Sequence, residues 1–584
     1  MSRITVPQED RNPPDPPAPL DRMLRVAIGR ATMGLSPAAL QLAYLDWAVH
    51  LMGSPGKQIQ LVDKVLRKAG RFAAYWSHCQ ETDATPCIEP LTHDQRFEAR
   101  EWQQWPFNLI YQSFLLTQQW WHNATTGVRG VTPHHEEVVN FLTRQILDVM
   151  SPSNYLVTNP ELLRQTMEEG GANLARGARY LLEDVQRSMN AAPPEGAESY
   201  VPGENVAVTP GKVVYRNRLM ELIQYAPDMA RVHPEPILIV PAWIMKYYIL
   251  DLSPENSLVR YLVEQGFTVF IISWKNPDQW DRDLSMDDYR RSGVMAALAA
   301  INTIVPEKAV HGVGYCIGGT LLMIAAAAMA RKRDPRLASL TLLAAQADFS
   351  EPGELGLFID ESQVNFLDDI MWETGYLDGR RMAGAFQLLR SHDLIWSKSV
   401  RQYLQGQRST MTDLMAWNAD ATRLPYRMHS EYLQRLYLDN EFADGVFEVD
   451  DDAVHLSDVK VPFFVVGTEK DHVAPWPSVY KINRMARSPV SFLLTSGGHN
   501  AGIVSPPDHP RRRYRVHTHQ PEELMLPPDD FLDQTPVHEG SWWPEWLTWL
   551  RARSGNKAKP PAMGAPSRGH APLYDAPGRY AHQK

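Results

Sequence analysis

The sequence predicts an α/β fold in which helices cover a mostly parallel β-sheet, with a helical domain in front of it. Short apolar runs at residues 236–241, 268–274, 309–313 and 461–466 have the composition of strands that are buried on both faces. Helical patterns separate these runs, and strands that alternate with helices form parallel sheets with right-handed crossovers. Before residue 190, apolar residues recur instead at three- and four-residue steps, which is typical of amphipathic helices.

Composition places the chain among soluble globular proteins. Its 584 residues suggest two to four structural units, and its contents of 44% hydrophobic and 22% charged residues are ordinary. The 58 basic and 68 acidic residues give a net charge of −10, which argues against a general nucleic-acid binder. The three cysteines are sparse and form no CxxC pair, and the start lacks the apolar segment of a signal peptide. We therefore expect a reducing cytoplasm, no disulfide framework and no metal site.

The N-terminal part begins with a Pro-rich, charged tail at residues 1–22, which we expect to be disordered. Residues 23–190 are predicted to form a helical domain. Its helical patterns lie at residues 40–51, 58–72, 105–123, 135–150 and 159–189. His134 and His135 precede two glutamates, but neighbouring residues on a helix do not face one another, so a solvated helix start is favoured over a metal site.

The α/β core is predicted to span residues 212–504 and to follow a linker at residues 191–211. Strand-like runs at residues 212–215 and 220–225 open the core. The runs at residues 337–345 and 491–495 continue the sheet toward its other edge.

Two segments depart from this alternation. Between about residues 348 and 451 the chain is helical and aromatic, which predicts a cap inserted over the active site. Its uncharged stretch at residues 356–359 is a candidate wall of that site. Residues 505–584 are predicted to form a C-terminal extension with a Trp-rich helix at 542–551 and an extended tail.

A short stretch in the centre of the core predicts the chemistry. Residues 314–319 read Gly-Tyr-Cys-Ile-Gly-Gly and lie between a strand pattern and an Ala-rich helix pattern. A nucleophile between glycines at such a strand-to-helix turn is the nucleophile elbow of α/β-hydrolases, here with Cys316 in place of serine. A membrane span over residues 312–330 is less well supported, because the glycines and nearby charges suit a buried helix better. A structural cysteine in a packing turn is the other interpretation of the motif alone.

The partners that a cysteine nucleophile needs follow in the expected order. Asp471 comes after the strand run at 461–466, and His499 comes after the next strand, so both are predicted at carboxyl ends of strands. His499 is the predicted base, and Asp471 is the predicted carboxylate that orients it. Glu469 is an alternative acid. His472 is predicted to support Asp471 rather than to react.

The oxyanion formed during acyl transfer requires two backbone N–H donors. One is predicted at Ile317, directly after the nucleophile and at the start of a helix, where the helix dipole assists. The other is predicted in the loop after the 236–241 strand, at Ala242 or Trp243. His311, inside the strand before the elbow, is predicted to be a core residue with satisfied hydrogen bonds.

Several longer strings resemble the class I polyhydroxyalkanoate synthases, which belong to the α/β-hydrolase superfamily and join (R)-3-hydroxyacyl-CoA units into storage polyester. The resemblance runs from about residue 108 to the C-terminus. Its strings lie at residues 241–251, 273–278, 314–319, 417–422, 471–476 and 541–544.

The resemblance implies an α/β-hydrolase core with a helical N-terminal domain and a mobile cap, and it implies catalytic roles for Cys316, Asp471 and His499. Trp417 matches a family tryptophan tied to the cap and to assembly, and Asp251 ends the first string. These two residues and His472 are expected to support the site. A departure from the family occurs at His392, where asparagine is common before the Asp-Leu-Ile-Trp string.

Further expectations follow from the resemblance. The partners are a (R)-3-hydroxyacyl-CoA substrate, the growing polyester chain, the granule surface and a second copy of the chain in a homodimer. No cofactor is expected, since coenzyme A is the leaving group of the substrate, and no metal, nucleic-acid or transmembrane partner is expected. The location is the cytoplasm, at polyester granules. Two alternatives stay open, namely a cysteine-dependent thioesterase or polyester depolymerase with the same trio, and a non-catalytic granule-binding protein.

Overall fold

The computed structural model describes residues 19–32, 34–80, 85–91, 94–379 and 395–584. Within these residues, eleven strands form one central sheet, namely β1 (Gly211–Arg216), β2 (Met220–Tyr225), β3 (Ile237–Val240), β4 (Val269–Trp274), β5 (Val310–Tyr315), β6 (Leu337–Leu343), β11 (Phe463–Thr468), β12 (Val490–Thr495), β13 (Arg513–His519), β14 (His538–Glu539) and β15 (Tyr574–Asp575). Their order across the sheet is β14-β13-β12-β11-β6-β5-β3-β4-β2-β1-β15. Short pairs β7 (Tyr376–Leu377) with β8 (Leu424–Pro425), and β9 (Glu448–Val449) with β10 (Asp452–Ala453), lie outside it.

The middle of the sheet is parallel and its margins are antiparallel. Strands β4, β3, β5, β6, β11 and β12 pair in parallel, whereas β2, β1 and β15 on one side and β13 and β14 on the other are antiparallel. The parallel strands are buried almost throughout, as their continuous apolar composition predicts. The predicted mostly parallel α/β-hydrolase sheet is therefore confirmed.

Helices cover both faces of the sheet. One face packs against α10 (Ala296–Ile304), which continues from α9 (Met286–Asp288) through a π-helical turn, and against α11 (Ile317–Arg331). The other face packs against α8 (Leu258–Glu264) and the helix Trp543–Arg551. The sheet thus has a separate apolar core on each side, and the site described below lies at the carboxyl ends of its parallel strands.

The N-terminal region is helical, and its helices follow the predicted patterns closely. They are α1 (Pro19–Ala31), α2 (Pro37–Met52), α3 (Pro55–Trp76), α4 (Phe107–Thr125), α5 (Pro133–Val149), α6 (Pro160–Glu168) and α7 (Ala172–Met189). The pattern at 159–189 is divided into two helices because Gly170 and Gly171 adopt positive φ angles between them. Helix α1 begins inside the stretch predicted as a disordered tail, and a proline at its first position and Asp21 in its first turn favour that start. Residues 1–18 lie outside the described residues.

The inserted segment packs against the N-terminal region, and the predicted linker packs against the core. Helix α12 (Glu361–Thr374) of the insertion contacts α1, where Arg25 donates to Asp369 at 2.5 Å. At the end of the predicted linker, Ala207 is buried and its N–H donates to the carbonyl of Asp251. The departure noted at His392 falls in residues 380–394, outside the described residues.

The C-terminal extension forms part of the central sheet. It supplies β13, β14 and β15, which the predicted strand series did not include. Its last residues hold the core loops, since Lys246 donates from Nζ to the carbonyl of Gln583 at 2.5 Å, and Gln583 Oε1 accepts from the N–H of Asn276 at 2.8 Å. The predicted extended tail therefore packs along the core.

The Trp-rich helix allows a test of this packing. Trp546 is 0% exposed and its indole N–H donates to Thr341 Oγ1 on β6 at 2.9 Å. We expect Trp546→Phe to lower the free energy of unfolding by about 1–3 kcal/mol, since it removes buried surface and a buried hydrogen bond. The control Trp280→Phe, at a side chain 77% exposed, should change it by less than about 0.5 kcal/mol. Urea unfolding followed by circular dichroism measures both, and equal effects would contradict the assignment of this helix to the core.

None of the described helices is both long and apolar enough to cross a bilayer. Over the same residues, no group of three or more His, Cys, Asp or Glu side chains is arranged to hold a metal ion. The two neighbouring histidines at the start of α5 contact different carboxylates, His135 with Asp46 at 2.6 Å and His134 with Asp360 at 3.6 Å.

Candidate active site

Cys316 occupies a sharp turn between β5 and α11. Its φ of +53° lies in the left-handed region, which is a strained conformation for a residue with a side chain. The neighbouring glycines make the turn possible. A Cβ on Gly314 would collide with the backbone of Gly319, and one on Gly318 would collide with the carbonyl of Val240. The strand, turn and helix predicted around the motif are therefore present.

Asp471 follows β11 in a turn that supplies it with donors. Its Oδ1 accepts the N–H groups of Val473 and Ala474, each at 2.9 Å, and its Oδ2 accepts the hydroxyl of Thr468 at 2.9 Å. The carboxylate side chain is fully buried. Burial alone would raise the pKa of Asp471, but the charge of His499 and the hydrogen bonds from His499, Ala474 and Val473 lower it below its ordinary value. The carboxylate is thus held in its charged form.

His499 follows β12 and lies between the carboxylate and the thiol. Its Nδ1–H donates to Asp471 Oδ2 at 2.8 Å, and its side chain is 11% exposed. Burial would lower the pKa of His499, but the charges of Asp471 and Cys316, and hydrogen bonds to both, raise it well above its ordinary value. A histidine in this position can take the proton of the thiol and hold it as an imidazolium.

A hydrogen bond that the sequence did not predict holds the loop that carries His499. The hydroxyl of Tyr315 donates to Asn500 Oδ1 at 2.5 Å, and the rings of Tyr315 and His499 lie 5.6 Å apart. Both residues adjoin members of the trio in sequence, directly before Cys316 and directly after His499. That adjacency was the available signal, although nothing in the sequence showed that the two side chains would meet.

The predicted oxyanion donors lie around the elbow. Ile317 forms part of the cavity wall beside Cys316. Ala242 and Trp243 are buried in the loop after β3, and the next residue, Ile244, reaches the cavity wall. The carbonyl of Trp243 accepts the hydroxyl of Thr422 at 2.7 Å, so the insertion holds this loop in place.

An apolar cavity opens from the thiol into the insertion. Besides residues of the elbow, its wall consists mainly of aliphatic and aromatic side chains of the cap, among them Leu355, Phe358, Ile359, Leu367, Leu377 and Leu433. Phe358 and Ile359 belong to the uncharged stretch that was predicted as a wall. The N-terminal region also contributes, through Gly34 and Leu35. Gln363 holds them there, since it accepts the N–H of Ser36 and donates to the carbonyl of Gly34, both at 2.7 Å.

Trp417 and Asp251, two of the residues expected to support the site, do not line the cavity beside Cys316. The indole of Trp417 donates to the carbonyl of Lys246 at 2.8 Å, which fixes the loop after β3. Asp251 is buried and accepts hydroxyl groups of Thr209, Ser257 and Tyr225 at 2.5–3.2 Å. Both contacts are structural in kind.

The other histidine and acid candidates contact residues outside the trio. The backbone carbonyl of His472, beside Asp471, accepts the N–H of Glu354 in the insertion at 3.3 Å. Glu469, the alternative acid, pairs with Arg513 at 3.1 Å. The ring of His311 contacts the hydroxyls of two serines at 2.7 and 3.1 Å inside the core, as predicted.

Comparisons with known proteins agree with this architecture. The family described as "Poly-beta-hydroxybutyrate polymerase (PhaC) N-terminus" matches residues 93–262, and "Poly-beta-hydroxybutyrate polymerase N terminal" matches residues 15–57. The family described as "alpha/beta hydrolase fold" matches residues 235–506, which include all three members of the trio.

Curated relatives match over most of the chain. A poly(3-hydroxyalkanoate) polymerase of Methylorubrum extorquens is 41% identical over 91% of this chain and 87% of its own length. The polymerase subunit of Cupriavidus necator is 36% identical over 90% of this chain and 89% of its own, and polymerase 2 of Ectopseudomonas oleovorans is 33% identical over 84% and 87%. The chain is therefore an acyltransferase of the poly(3-hydroxyalkanoate) polymerase family, and it has the α/β-hydrolase fold of that family.

Proposed function

We propose that this enzyme polymerises (R)-3-hydroxyacyl-CoA into polyhydroxyalkanoate with release of coenzyme A, and that Cys316 carries the growing acyl group. The observation that carries this assignment is the arrangement of His499 between a buried carboxylate and the only thiol on the wall of the apolar cavity, within the described residues. Family membership supports the substrate class, since the relatives are named for 3-hydroxyalkanoate polymers.

Acylation begins when His499 accepts the proton of Cys316. The thiolate attacks the carbonyl carbon of the substrate thioester, and the negative oxygen is stabilised by the N–H of Ile317 and a second N–H from the loop after β3. When the intermediate collapses, the bond to the coenzyme A sulfur breaks and His499 returns the proton to that sulfur. The product is a thioester on Cys316, and its acyl group remains activated because one thioester has replaced another.

Elongation forms an ester from that thioester. His499 accepts the proton of the 3-hydroxyl of another unit, and the hydroxyl oxygen attacks the acyl carbon on Cys316. The carbon–sulfur bond breaks and the proton returns to the Cys316 sulfur, which leaves the lengthened chain as the coenzyme A thioester of the attacking unit. Repetition of the acylation step returns this chain to Cys316 and releases that coenzyme A. Asp471 holds the imidazole in the tautomer that can accept a proton at Nε2 throughout, because Nδ1–H donates to it.

One assay separates the polymerase from the two alternatives. The protein is incubated with (R)-3-hydroxybutyryl-CoA, and coenzyme A release is followed together with insoluble polymer. We expect both to appear in proportion. Coenzyme A with soluble 3-hydroxyacid and no polymer would assign a thioesterase or depolymerase instead, and neither signal would assign a non-catalytic granule protein.

The cap is proposed to favour polymer by excluding water from the acyl-enzyme. Phe358 lines the cavity and packs edge to face on Phe141 of α5, with ring centroids 5.8 Å apart. We expect Phe358→Ala to admit water and to raise the ratio of soluble 3-hydroxyacid to polymer by about threefold or more. Leu524→Ala, at a side chain 95% exposed, is the control and should leave the ratio unchanged. Chromatography of the soluble products measures it, and an unaltered ratio in Phe358→Ala would refute this role.

We further propose that the enzyme works in the cytoplasm as a homodimer at the surface of polyester granules. Exposed apolar side chains on α2 and α3 support contact with an apolar surface, among them Leu42, Val49, Met52, Ile59 and Leu66. Co-sedimentation with purified granules tests the granule association, and light scattering of the free protein tests the homodimer.

A further inference from the structure

A second histidine faces the active-site cavity and has no part in the mechanism above. His429 lies on the helix Tyr426–Tyr432 of the cap and contributes to the same cavity wall as Cys316. It is 3% exposed, and its Nδ1 has no hydrogen-bond partner among the described residues. Burying a polar atom without a partner destabilises a protein, so an imidazole nitrogen without a partner in an apolar wall requires a reason.

The other polar side chains of this wall already have partners. Thr320 donates to the carbonyl of Gln346 at 2.8 Å, and Gln346 donates to Ser478 Oγ at 2.9 Å. The hydroxyl of Tyr432 donates to that of Tyr437 at 3.3 Å. Gln363, the remaining amide, holds the N-terminal segment as described above. Within the described residues, His429 is therefore the side chain of this wall that has a buried polar atom without any hydrogen-bond partner.

The protonation state limits what His429 can bind. Burial lowers the pKa of His429 to about 4, so the ring is neutral near pH 7. A neutral imidazole has one donor nitrogen and one acceptor nitrogen. It suits an uncharged oxygen group rather than a phosphate or a carboxylate, and a hydroxyl suits either tautomer because it can both donate and accept.

We propose that His429 is a positioning residue that binds the 3-hydroxyl of the acyl group in the active-site cavity. The inference rests on the proposed function, which places a 3-hydroxyacyl thioester beside Cys316. Apolar walls alone discriminate weakly against a ligand that lacks a hydroxyl, whereas a site that hydrogen-bonds the hydroxyl rejects such a ligand strongly. His429 thus gives the enzyme a preference for 3-hydroxyacyl over plain acyl thioesters.

The test measures binding without turnover, in the Cys316→Ala protein. Dissociation constants are determined by calorimetry for 3-hydroxybutyryl-CoA and for butyryl-CoA, which differ only in the hydroxyl. We expect the hydroxylated ligand to bind about tenfold more tightly. In the double variant with His429→Leu, this ratio should fall to about one, while the affinity for butyryl-CoA stays within about twofold.

Two further variants separate positioning from packing. His429→Gln retains hydrogen-bonding groups and should keep part of the preference. Met428→Leu should keep the whole preference, because the neighbouring Met428 side chain is 0% exposed in the apolar core that contains α10 and α11. A parent protein without a preference, equal weakening of both ligands in His429→Leu, or loss of the ratio in Met428→Leu would each overturn the proposal. Because Cys316 is replaced by alanine in every sample, a wrong assignment of the nucleophile would change the activity assays but not these dissociation constants.

Discussion

Replacement of Cys316 by alanine is expected to abolish coenzyme A release, with a loss of about 10⁴-fold or more in kcat. The loss should be this large because Cys316 is the only thiol on the described cavity wall, and the residual activity would come from binding alone. Stopped-flow or coupled detection of free thiol measures it. Mass spectrometry of the parent after brief mixing with substrate should show an acyl adduct on the peptide that contains Cys316.

Serine at the same position is the more informative change. Cys316→Ser keeps the turn and places a hydroxyl beside His499, but a hydroxyl is far harder to ionise than a thiol and would hold the chain as a less reactive ester. We expect a loss of about 10³-fold or more in kcat with binding retained.

The other two cysteines provide matched controls for Cys316. Cys79 is buried and Cys87 is partly buried, and both lie in the N-terminal region away from the cavity wall. Cys79→Ala and Cys87→Ala should keep activity within about threefold, apart from effects on stability. Full activity in Cys316→Ala, or an adduct on either of the other cysteines, would show that the nucleophile lies elsewhere.

The parts of the fold that sequence reasoning identified are those whose signals are local. Strands β3, β4 and β11 have nearly continuous apolar runs, β5 and β6 are mostly apolar, and the glycines of the elbow can be recognised from the sequence alone. The order of nucleophile, acid and histidine then followed from chain topology, because carboxyl ends of parallel strands meet at one edge.

The parts that were missed depend on contacts between distant segments. Strand β13 reads Arg-Tyr-Arg-Val-His-Thr-His, a polar strand that is defined by its antiparallel pairing with β12. Strands β14 and β15 have two residues each and carry no periodic signal. The approach of Leu35 to the cavity depends on Gln363, more than 300 residues later in the chain. No local pattern encodes these pairings.

The second large effect is expected at Asp471, where the four donors around the carboxylate predict the result of a change to asparagine. Oδ1 accepts the N–H groups of Val473 and Ala474, and Oδ2 accepts from Thr468 and His499. An amide has one oxygen, and the two backbone donors hold it at the Oδ1 position. Its NH₂ group would then face His499 and force Nδ1 to become an acceptor. The ring proton would stay on Nε2, the nitrogen that faces the thiol. We expect Asp471→Asn to lower kcat by about 10⁴-fold, since the base is held in the wrong tautomer.

The pH dependence should change in the same variant and in a defined direction. The charge of Asp471 is a main cause of the raised pKa of His499, so its removal lowers that pKa and the imidazolium is lost at lower pH. His499 must be unprotonated to accept the proton of the thiol, so the acid limb of the profile of kcat/KM is expected to move to lower pH. Glu469→Gln is the control, because Glu469 pairs with Arg513 at the surface, and it should keep activity within about threefold. If Glu469→Gln were inactive and Asp471→Asn active, the alternative acid would be the correct one, and the hydrogen bond from His499 to Asp471 would be structural.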